Sequence, residues 1–258
     1  MKPEAYQEFT QHLQKNLEQN AHVLGLVAVG SMANTDHQPD EWSDHDFMVI
    51  VETGQQERFR QSLNWLPDAE KIIFSHRETE HGLKVLYEYG HLIEFAVFDK
   101  KELYLARVNS YRVLFSRWDI TQDLEKIRLA SDSAPRDDTY YVGQFLAHLQ
   151  VGVGRFARGE KLSGHIFIKH HAIDDLLSLM AKYQPDKSLL DNLDPFRRFE
   201  FVLPDIGAEL NAMLLLEPPQ AAEELLLLFE REFQHRLSDY PREAVKVVQH
   251  YIRSIYPA

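Results

Sequence analysis

The feature that most constrains this chain is an apolar run that ends in Gly-Ser and is followed, after twelve residues, by a pair of aspartates. The Val-Ala-Val run at 27–29 leads into Gly30 and Ser31, and the aspartates are Asp44 and Asp46. Glycine lets a backbone approach a phosphate closely, and a serine hydroxyl with neighbouring N–H groups donates hydrogen bonds to phosphate oxygens. The turn therefore predicts a phosphate-binding site at Gly30 and Ser31.

The two aspartates open a second apolar run, residues 46–51, which is typical of a buried strand. Side chains repeat along a strand with a period of two, so the carboxylates of Asp44 and Asp46 are expected on one face. Carboxylate oxygens are the ligands that Mg²⁺ prefers, and it usually shares them with substrate phosphates. His45, between the two aspartates, is expected on the opposite face in a structural role.

A third carboxylate, Glu94, lies in the middle of the apolar run 92–98. An acid flanked by isoleucine and phenylalanine is costly to bury unless it is paired or bound to a metal. Asp99 is expected instead to cap a helix that starts near residue 100, and Glu88 is expected to be solvated. If the strand of Glu94 lies beside the aspartate strand, three carboxylates converge into a site of the kind that holds two metal ions for in-line displacement at phosphorus.

Hydrophobic periodicity predicts an α+β chain in two parts. The first part mixes the two kinds of element, with helices at 4–20 and 57–65 and strands at 22–29, 46–51, 71–75, 83–89 and 92–98. The second part is a predicted helical bundle with helices at 140–158, 165–183, 204–215, 221–237 and 242–255. The Ser-, Asp-, Pro- and Arg-containing stretch 131–138 is the linker candidate, which predicts domains at 1–131 and 132–258.

The amino-acid composition indicates which classes of binding partner suit this chain. Forty acidic residues against 28 lysines and arginines give a net charge of −12. Such a surface disfavours binding to long nucleic acid and suits a cationic small molecule. The absence of cysteine excludes disulfides and thiol ligands and fits a cytoplasmic location. The longest apolar runs, such as 225–229, are too short to cross a membrane, so no membrane partner is expected.

Taken in order, the strand, Gly30-Ser31, the spacer, Asp44-x-Asp46 and the later Glu94 resemble the signature of the polymerase-β-type nucleotidyltransferase superfamily. The chain as a whole is similar to the aminoglycoside and lincosamide nucleotidyltransferases, which have a nucleotidyltransferase domain followed by a helical domain at about this length. The resemblance covers the first half strongly and the second half only in helical content.

The resemblance implies transfer of a nucleoside monophosphate, AMP from ATP, to a hydroxyl of a small molecule, with release of pyrophosphate. It implies two Mg²⁺ ions held by Asp44, Asp46 and Glu94, with Glu94 also serving as general base. It makes an aminoglycoside or lincosamide antibiotic, and hence antibiotic resistance, the leading expectation for the acceptor. The resemblance does not name the acceptor, the base of the triphosphate or the oligomeric state, for which a dimer is one option.

Further predictions concern a cation and an aromatic residue. Lys169 lies four residues after His165 on one face of a predicted helix and is the candidate cation for the triphosphate, with an ordinary solvated helix face as the alternative. Trp42 is expected to pack within its loop rather than to stack on a base. Two other functions stay open: an enzyme that adenylylates a protein, as in antitoxin-like nucleotidyltransferases, and a module that only binds nucleotide.

Overall fold

The computed structural model describes residues 1–33, 38–131, 136–184, 190–191 and 193–255. The chain divides into two compact units, Met1–Ser133 and Ala134–Ala258. Residues 132–135, half of the predicted linker, lie outside the described residues. Among the helices that are described, none is long and apolar enough to cross a membrane.

The first unit is built on one mixed sheet, as the sequence predicts. The strands are β1 (Val23–Val29), β2 (His45–Val51), β3 (Ile72–Arg77), β4 (Gly82–Tyr87), β5 (Leu92–Phe98) and β6 (Tyr111–Ser116). Their order across the sheet is β3-β4-β5-β2-β1-β6. The β2–β5 pair is parallel and every other pair is antiparallel. The accompanying helices are α1 (Pro3–Glu18), α2 (Gln56–Gln61) and α3 (Thr121–Ser131).

The helix α1 covers one face of the sheet. It begins at Pro3, whose fixed φ suits the first helical turn. Its buried side chains are those predicted from the helical spacing, Tyr6, Phe9, Leu13 and Leu17. They pack into a core with the strand residues that point to the same side. Full burial of side chains of this size contributes about 1.5–3 kcal/mol each, which fixes α1 against the sheet.

The opposite face of the sheet packs on α3. Met48 of β2 and Phe98 of β5 share a core cluster with Leu124 and Ile127 of α3. This side carries Asp46 and Glu94, because both lie an even number of residues from Met48 and Phe98 on their strands. The sheet is therefore the middle layer of the unit, and the predicted carboxylates lie on the α3 side.

The second unit is helical, as predicted. Its helices are α4 (Asp138–Ala157), α5 (Lys161–Ile166), α6 (Ile173–Lys182), α7 (Phe199–Val202), α8 (Pro204–Leu214), α9 (Pro218–Phe233) and α10 (Arg242–Ile255). A π-helical segment, Phe167–Ala172, joins α5 to α6 without a break. At the crossing with α4 the backbones approach closely, since a Cβ on Gly152 would lie 2.6 Å from the Ile168 side chain.

One predicted helix of the first unit is too long, and two elements were missed. The helix expected at 57–65 ends at Gln61, because Trp65 and Leu66 reach the core from a turn that follows it. The strand β6 and the helix α3 were not predicted. All six residues of β6 are partly or fully exposed, so that the strand has neither a continuous apolar run nor a clear alternation.

Candidate active site

The turn after β1 is shaped around the side chain of Asp46. Residues Gly30–Ala33 form a single turn of 3₁₀ helix, and Gly30 has a φ of +55°. A Cβ on Gly30 would lie 2.8 Å from Asp46 Oδ2, which is closer than Cβ atoms approach other heavy atoms. The position thus requires glycine for its left-handed backbone and for the space that the carboxylate occupies.

Ser31, the second residue of the turn, has a buried hydroxyl. Its Oγ makes no hydrogen bond of normal geometry within the described part of the chain, although the side chain is only 6% exposed and the Tyr6 hydroxyl lies near it. A buried polar atom without a partner is destabilising and rare in folded proteins. Beside Gly30 and Asp46, such a hydroxyl fits a phosphate oxygen as its missing partner.

The side chain of Tyr6 on α1 also reaches the turn after β1. Its hydroxyl donates a 2.9 Å hydrogen bond to the Asp44 carbonyl oxygen. Burial raises the pKa of the Tyr6 phenol above its usual range, and the nearby Ser31 hydroxyl opposes this shift, while the carboxylates of Asp46 and Asp44 raise the pKa further by smaller amounts. Tyr6 therefore remains a neutral donor and holds the backbone just before β2 begins.

The carboxylates of β2 and β5 are neighbours by strand register. Asp46 is paired with Glu94 in the parallel β2–β5 ladder, so their side chains lie side by side on one face. Adjacent strands are about 4.8 Å apart, which places two like charges close together. Asp44 lies one residue before β2 begins, so the strand pleat does not extend to it.

Glu94 is engaged in an ion pair. Lys84 Nζ lies 2.9 Å from Glu94 Oε1 and 3.0 Å from Glu78 Oε1. In the residues that the structure describes, no three His, Cys, Asp or Glu side chains form a group that could hold a metal ion as they stand. The structure thus brings Asp46 and Glu94 together, and metal binding by the set of three carboxylates stays a prediction.

His45, the first residue of β2, points to the α1 side of the sheet. Its ring stacks on Tyr6 with centroids 3.7 Å apart and is fully buried. Thr10 Oγ1 donates to the Tyr6 carbonyl, so it accepts from His45 Nε2 at 2.9 Å, and His45 Nδ1 then accepts from His91 Nε2 at 2.7 Å. Burial lowers the pKa of His45 to about 3 and that of His91 to about 4. The two rings are neutral and structural, which confirms the role expected for His45.

A cavity of about 440 Å³ opens beside the two carboxylates. Asp46 and Glu94 line it together with Glu78, His81 and Arg107, over apolar side chains that include Met48, Ala96, Phe98 and Leu105. Apolar walls with a few polar groups are typical of small-molecule sites. A ligand in this cavity would touch Asp46 and Glu94 directly.

Three further predictions concern Asp99, Trp42 and Lys169. Asp99 caps the turn after β5, accepting from the N–H groups of Lys101 and Glu102 at 2.8 Å, as predicted. Trp42 is 85% exposed, so the expectation that it packs in its loop was wrong. Lys169 Nζ donates to the Leu214 carbonyl at 2.8 Å, at the end of α8, and its contact with a nucleotide stays a prediction.

The sequence interpretation missed two cations of the first unit. Lys84 lies opposite Glu94 in the antiparallel β4–β5 ladder. Arg112 on β6 donates through Nη2 to the Met32 carbonyl of the Gly30 turn at 3.0 Å. Register between strands decides both positions, and a sequence pattern carries only a weak indication of it.

No protein-family model matches the chain, and no curated protein sequence matches it. Among solved structures, the chain is similar to an aminoglycoside 6-adenyltransferase from Bacillus subtilis, at 14% identity and a TM-score of 0.42, with 98% of each chain covered. It is also similar to the CdnC:HORMA-deltaN complex of E. coli MS115-1, at 12% identity and a TM-score of 0.31, covering 99% of this chain and 86% of that chain. The function proposed below rests on the residues of the site.

Proposed function

We propose that the chain is a metal-dependent nucleotidyltransferase that moves AMP from ATP to a hydroxyl of a small molecule and releases pyrophosphate. The observation that carries the proposal is the corner formed by Gly30, Ser31 and Asp46, with Glu94 in register beside it. The turn at Gly30 leaves room for the Asp46 carboxylate, and the buried Ser31 hydroxyl has no partner of normal geometry. Both features suit a triphosphate that shares a metal ion with Asp46.

The proposed roles differ between the carboxylates, the turn and the cations. Asp44, Asp46 and Glu94 would hold Mg²⁺, two ions by the family resemblance, which when bound neutralises the triphosphate and stabilises the leaving pyrophosphate. Gly30 and Ser31 would bind phosphate oxygens through the backbone and the hydroxyl. Lys169 stays a proposed cation for the nucleotide, and Arg112, at the turn itself, is a second one.

The acceptor oxygen forms a bond to the α-phosphorus of ATP, and the bond from that phosphorus to the oxygen that bridges it to the β-phosphate breaks. Pyrophosphate leaves with the electron pair of that bond. The proton of the acceptor hydroxyl passes to a carboxylate, for which Glu94 is proposed, and from there to water.

The acceptor is proposed to be a small molecule with a hydroxyl and positive charge, of the aminoglycoside or lincosamide kind. The support is the net charge of −12 and a cavity with three carboxylates on its wall, those of Asp46, Glu78 and Glu94. Such an acceptor implies a resistance enzyme that works in the cytoplasm.

The test is Mg²⁺-dependent pyrophosphate release from ATP with a panel of aminoglycosides and lincosamides, with Asp46→Asn as the blank. Release that depends on one compound and disappears in Asp46→Asn is the expected result. Release that continues in Asp46→Asn overturns the metal assignment. Retained ATP binding with no release across the panel overturns the acceptor class and directs the search to other small molecules or to a protein hydroxyl.

A further inference from the structure

A row of charged side chains crosses three neighbouring strands of the first unit. Asp46 on β2 is paired with Glu94 on β5, and Glu94 is paired with Lys84 on β4. Side chains that are opposite in register point to the same face of the sheet. Lys84 therefore stands beside the proposed third metal ligand, on the side away from Asp46.

Lys84 holds two carboxylates at once. Its Nζ is 2.9 Å from Glu94 Oε1 and 3.0 Å from Glu78 Oε1. The side chains of Lys84 and Glu94 are 28% and 34% exposed, so the pair is only partly screened by water.

We infer that Lys84 is the counter-ion of Glu94 and competes with the divalent cation for this carboxylate. When Glu94 binds the metal, the Lys84 ammonium remains paired with Glu78. The inference rests on the proposed function, because it concerns the metal ligands of the same site. It assigns Lys84 and Glu78 as positioning residues that the family signature does not contain.

The physical reason is the repulsion between the carboxylates of Asp46 and Glu94. Two like charges in adjacent strands destabilise the folded sheet unless a positive charge lies close to them. Lys84 supplies that charge whether or not a metal ion is bound. A divalent cation that recruits Glu94 must break the Lys84–Glu94 pair, and Glu78 lowers the cost of this step because the ammonium keeps one partner. Lys84 thus sets the metal concentration at which the third carboxylate joins the site.

The experiment is the binding of Mn²⁺ to the full chain without nucleotide, measured from the electron paramagnetic resonance signal of free Mn²⁺. Lys84→Met is expected to lower the half-saturating Mn²⁺ concentration by roughly tenfold, because Glu94 then has no competing counter-ion. Lys84→Arg is expected to stay near the wild type. Glu78→Gln is expected to raise the concentration by about threefold, since Lys84 then has Glu94 alone as its partner.

Lys71→Met is the matched control. Lys71 belongs to the same unit and forms a similar ion pair, 3.1 Å from Asp68, at an exposed position on the turn before β3. It changes the net charge by the same amount, so an equal shift in Lys71→Met would overturn the inference. Circular dichroism and a thermal melt of every variant verify that the unit is folded.

A double-mutant cycle separates action through Glu94 from general electrostatics. In a Glu94→Gln background, Lys84→Met is expected to shift Mn²⁺ binding less than twofold. A full tenfold shift in that background would show that Lys84 acts on the site without Glu94, and would overturn the inference. Asp46→Asn tells the two proposals apart: if it leaves Mn²⁺ binding unchanged, the metal site itself fails, whereas loss of binding with no effect of Lys84→Met refutes only the role of Lys84.

Discussion

Gly30, directly after β1, packs against the carboxylate of Asp46 on β2. The Asp46 carboxylate occupies the space where a side chain on residue 30 would begin, with 2.8 Å between Oδ2 and the Cβ position. The proposed phosphate-binding turn and the proposed metal-binding strand therefore meet at a point where only a glycine leaves room for the carboxylate. If the two residues bind phosphate and metal as proposed, a glycine and an aspartate sixteen residues apart would act as one unit of the site.

Gly30→Ala tests whether the two residues act as one unit. The new Cβ has to displace the Asp46 carboxylate, and a shift of about 1 Å in a catalytic group lowers turnover by roughly a hundredfold. The left-handed φ of +55° adds about 1–2 kcal/mol of destabilisation. We expect nucleotidyl transfer to fall by about that factor, measured as pyrophosphate release.

Gly90→Ala is the matched control for Gly30→Ala. Gly90 also has a left-handed φ, +78°, but no atom lies within 4 Å of its Cβ position. It is expected to lose a similar amount of stability in a thermal melt and to keep its transfer activity. Equal activities for the two variants would show that the contact with Asp46 has no part in the reaction.

Ser31→Ala is expected to separate stability from binding. Its buried Oγ has no partner of normal geometry in the described part of the chain, so removal of the hydroxyl leaves the free energy of unfolding unchanged or raises it by up to about 1 kcal/mol. ATP affinity is expected to fall by about tenfold, the usual effect of a lost hydrogen bond to a charged group. Calorimetry of ATP binding and a thermal melt measure the two quantities.

Ser131→Ala provides the contrast to Ser31→Ala. Ser131 is equally buried, but its Oγ accepts from the Val108 N–H at 2.9 Å and donates to the Ile127 carbonyl at 2.8 Å. Its loss is expected to destabilise the unit by about 1–3 kcal/mol and to leave ATP affinity unchanged. A Ser31→Ala variant that is destabilised like Ser131→Ala, with normal ATP affinity, would make the Ser31 hydroxyl structural.

Glu94→Gln tests the proposed general base. The amide keeps the shape of the side chain but does not take a proton, so the turnover number is expected to fall by about a hundredfold or more. The affinity for ATP is expected to stay within a few-fold of the wild type. Glu88→Gln, an exposed acid after the neighbouring strand, is the control and should have normal kinetics. Loss of ATP binding in Glu94→Gln with little change in turnover would instead make Glu94 mainly a metal ligand.

The strands whose bounds are predicted most closely from sequence are those whose burial is complete. The strands β1, β2 and β5 lie inside the sheet, so most of their positions are apolar and their bounds differ from the prediction by at most one residue. The strand β6 lies at the sheet edge and is half-exposed, which leaves no pattern to detect. Trp65 completes an apparent helical period but packs against Phe95 from a turn, because tertiary contacts decide its conformation.

The residues of the candidate site also differ in how far the sequence predicts their positions. Gly30, Ser31 and Asp46 are close along the motif, and a strand–turn–strand is enough to bring them together. The partner of Glu94 depends on the register of β4 against β5, which places Lys84 opposite it. A shift of one residue would turn Lys84 to the other face, and packing of the whole sheet sets that register rather than the local residues. The ion pair was therefore beyond prediction from the sequence.

The buried pair His45–His91 predicts an acid-sensitive first unit. Burial lowers the pKa of His91 from an ordinary 6.5 to about 4, so at pH 5 the unfolded chain binds a proton there that the folded chain does not. A group with a lowered folded pKa stabilises the fold above its unfolded pKa, and that contribution is lost as the pH falls. Between pH 7 and pH 5 the loss from His91 amounts to about 2 kcal/mol.

His91→Gln is expected to remove this part of the pH dependence. The glutamine amide can donate to His45 Nδ1 in place of the imidazole, and it does not titrate. Urea unfolding at pH 7 and pH 5 should therefore show a free energy of unfolding that falls less in His91→Gln than in the wild type, by about 2 kcal/mol. His76→Gln, an exposed histidine on β3, should behave as the wild type does. An unchanged pH dependence in His91→Gln would mean that His91 takes up a proton in the folded chain as readily as in the unfolded one.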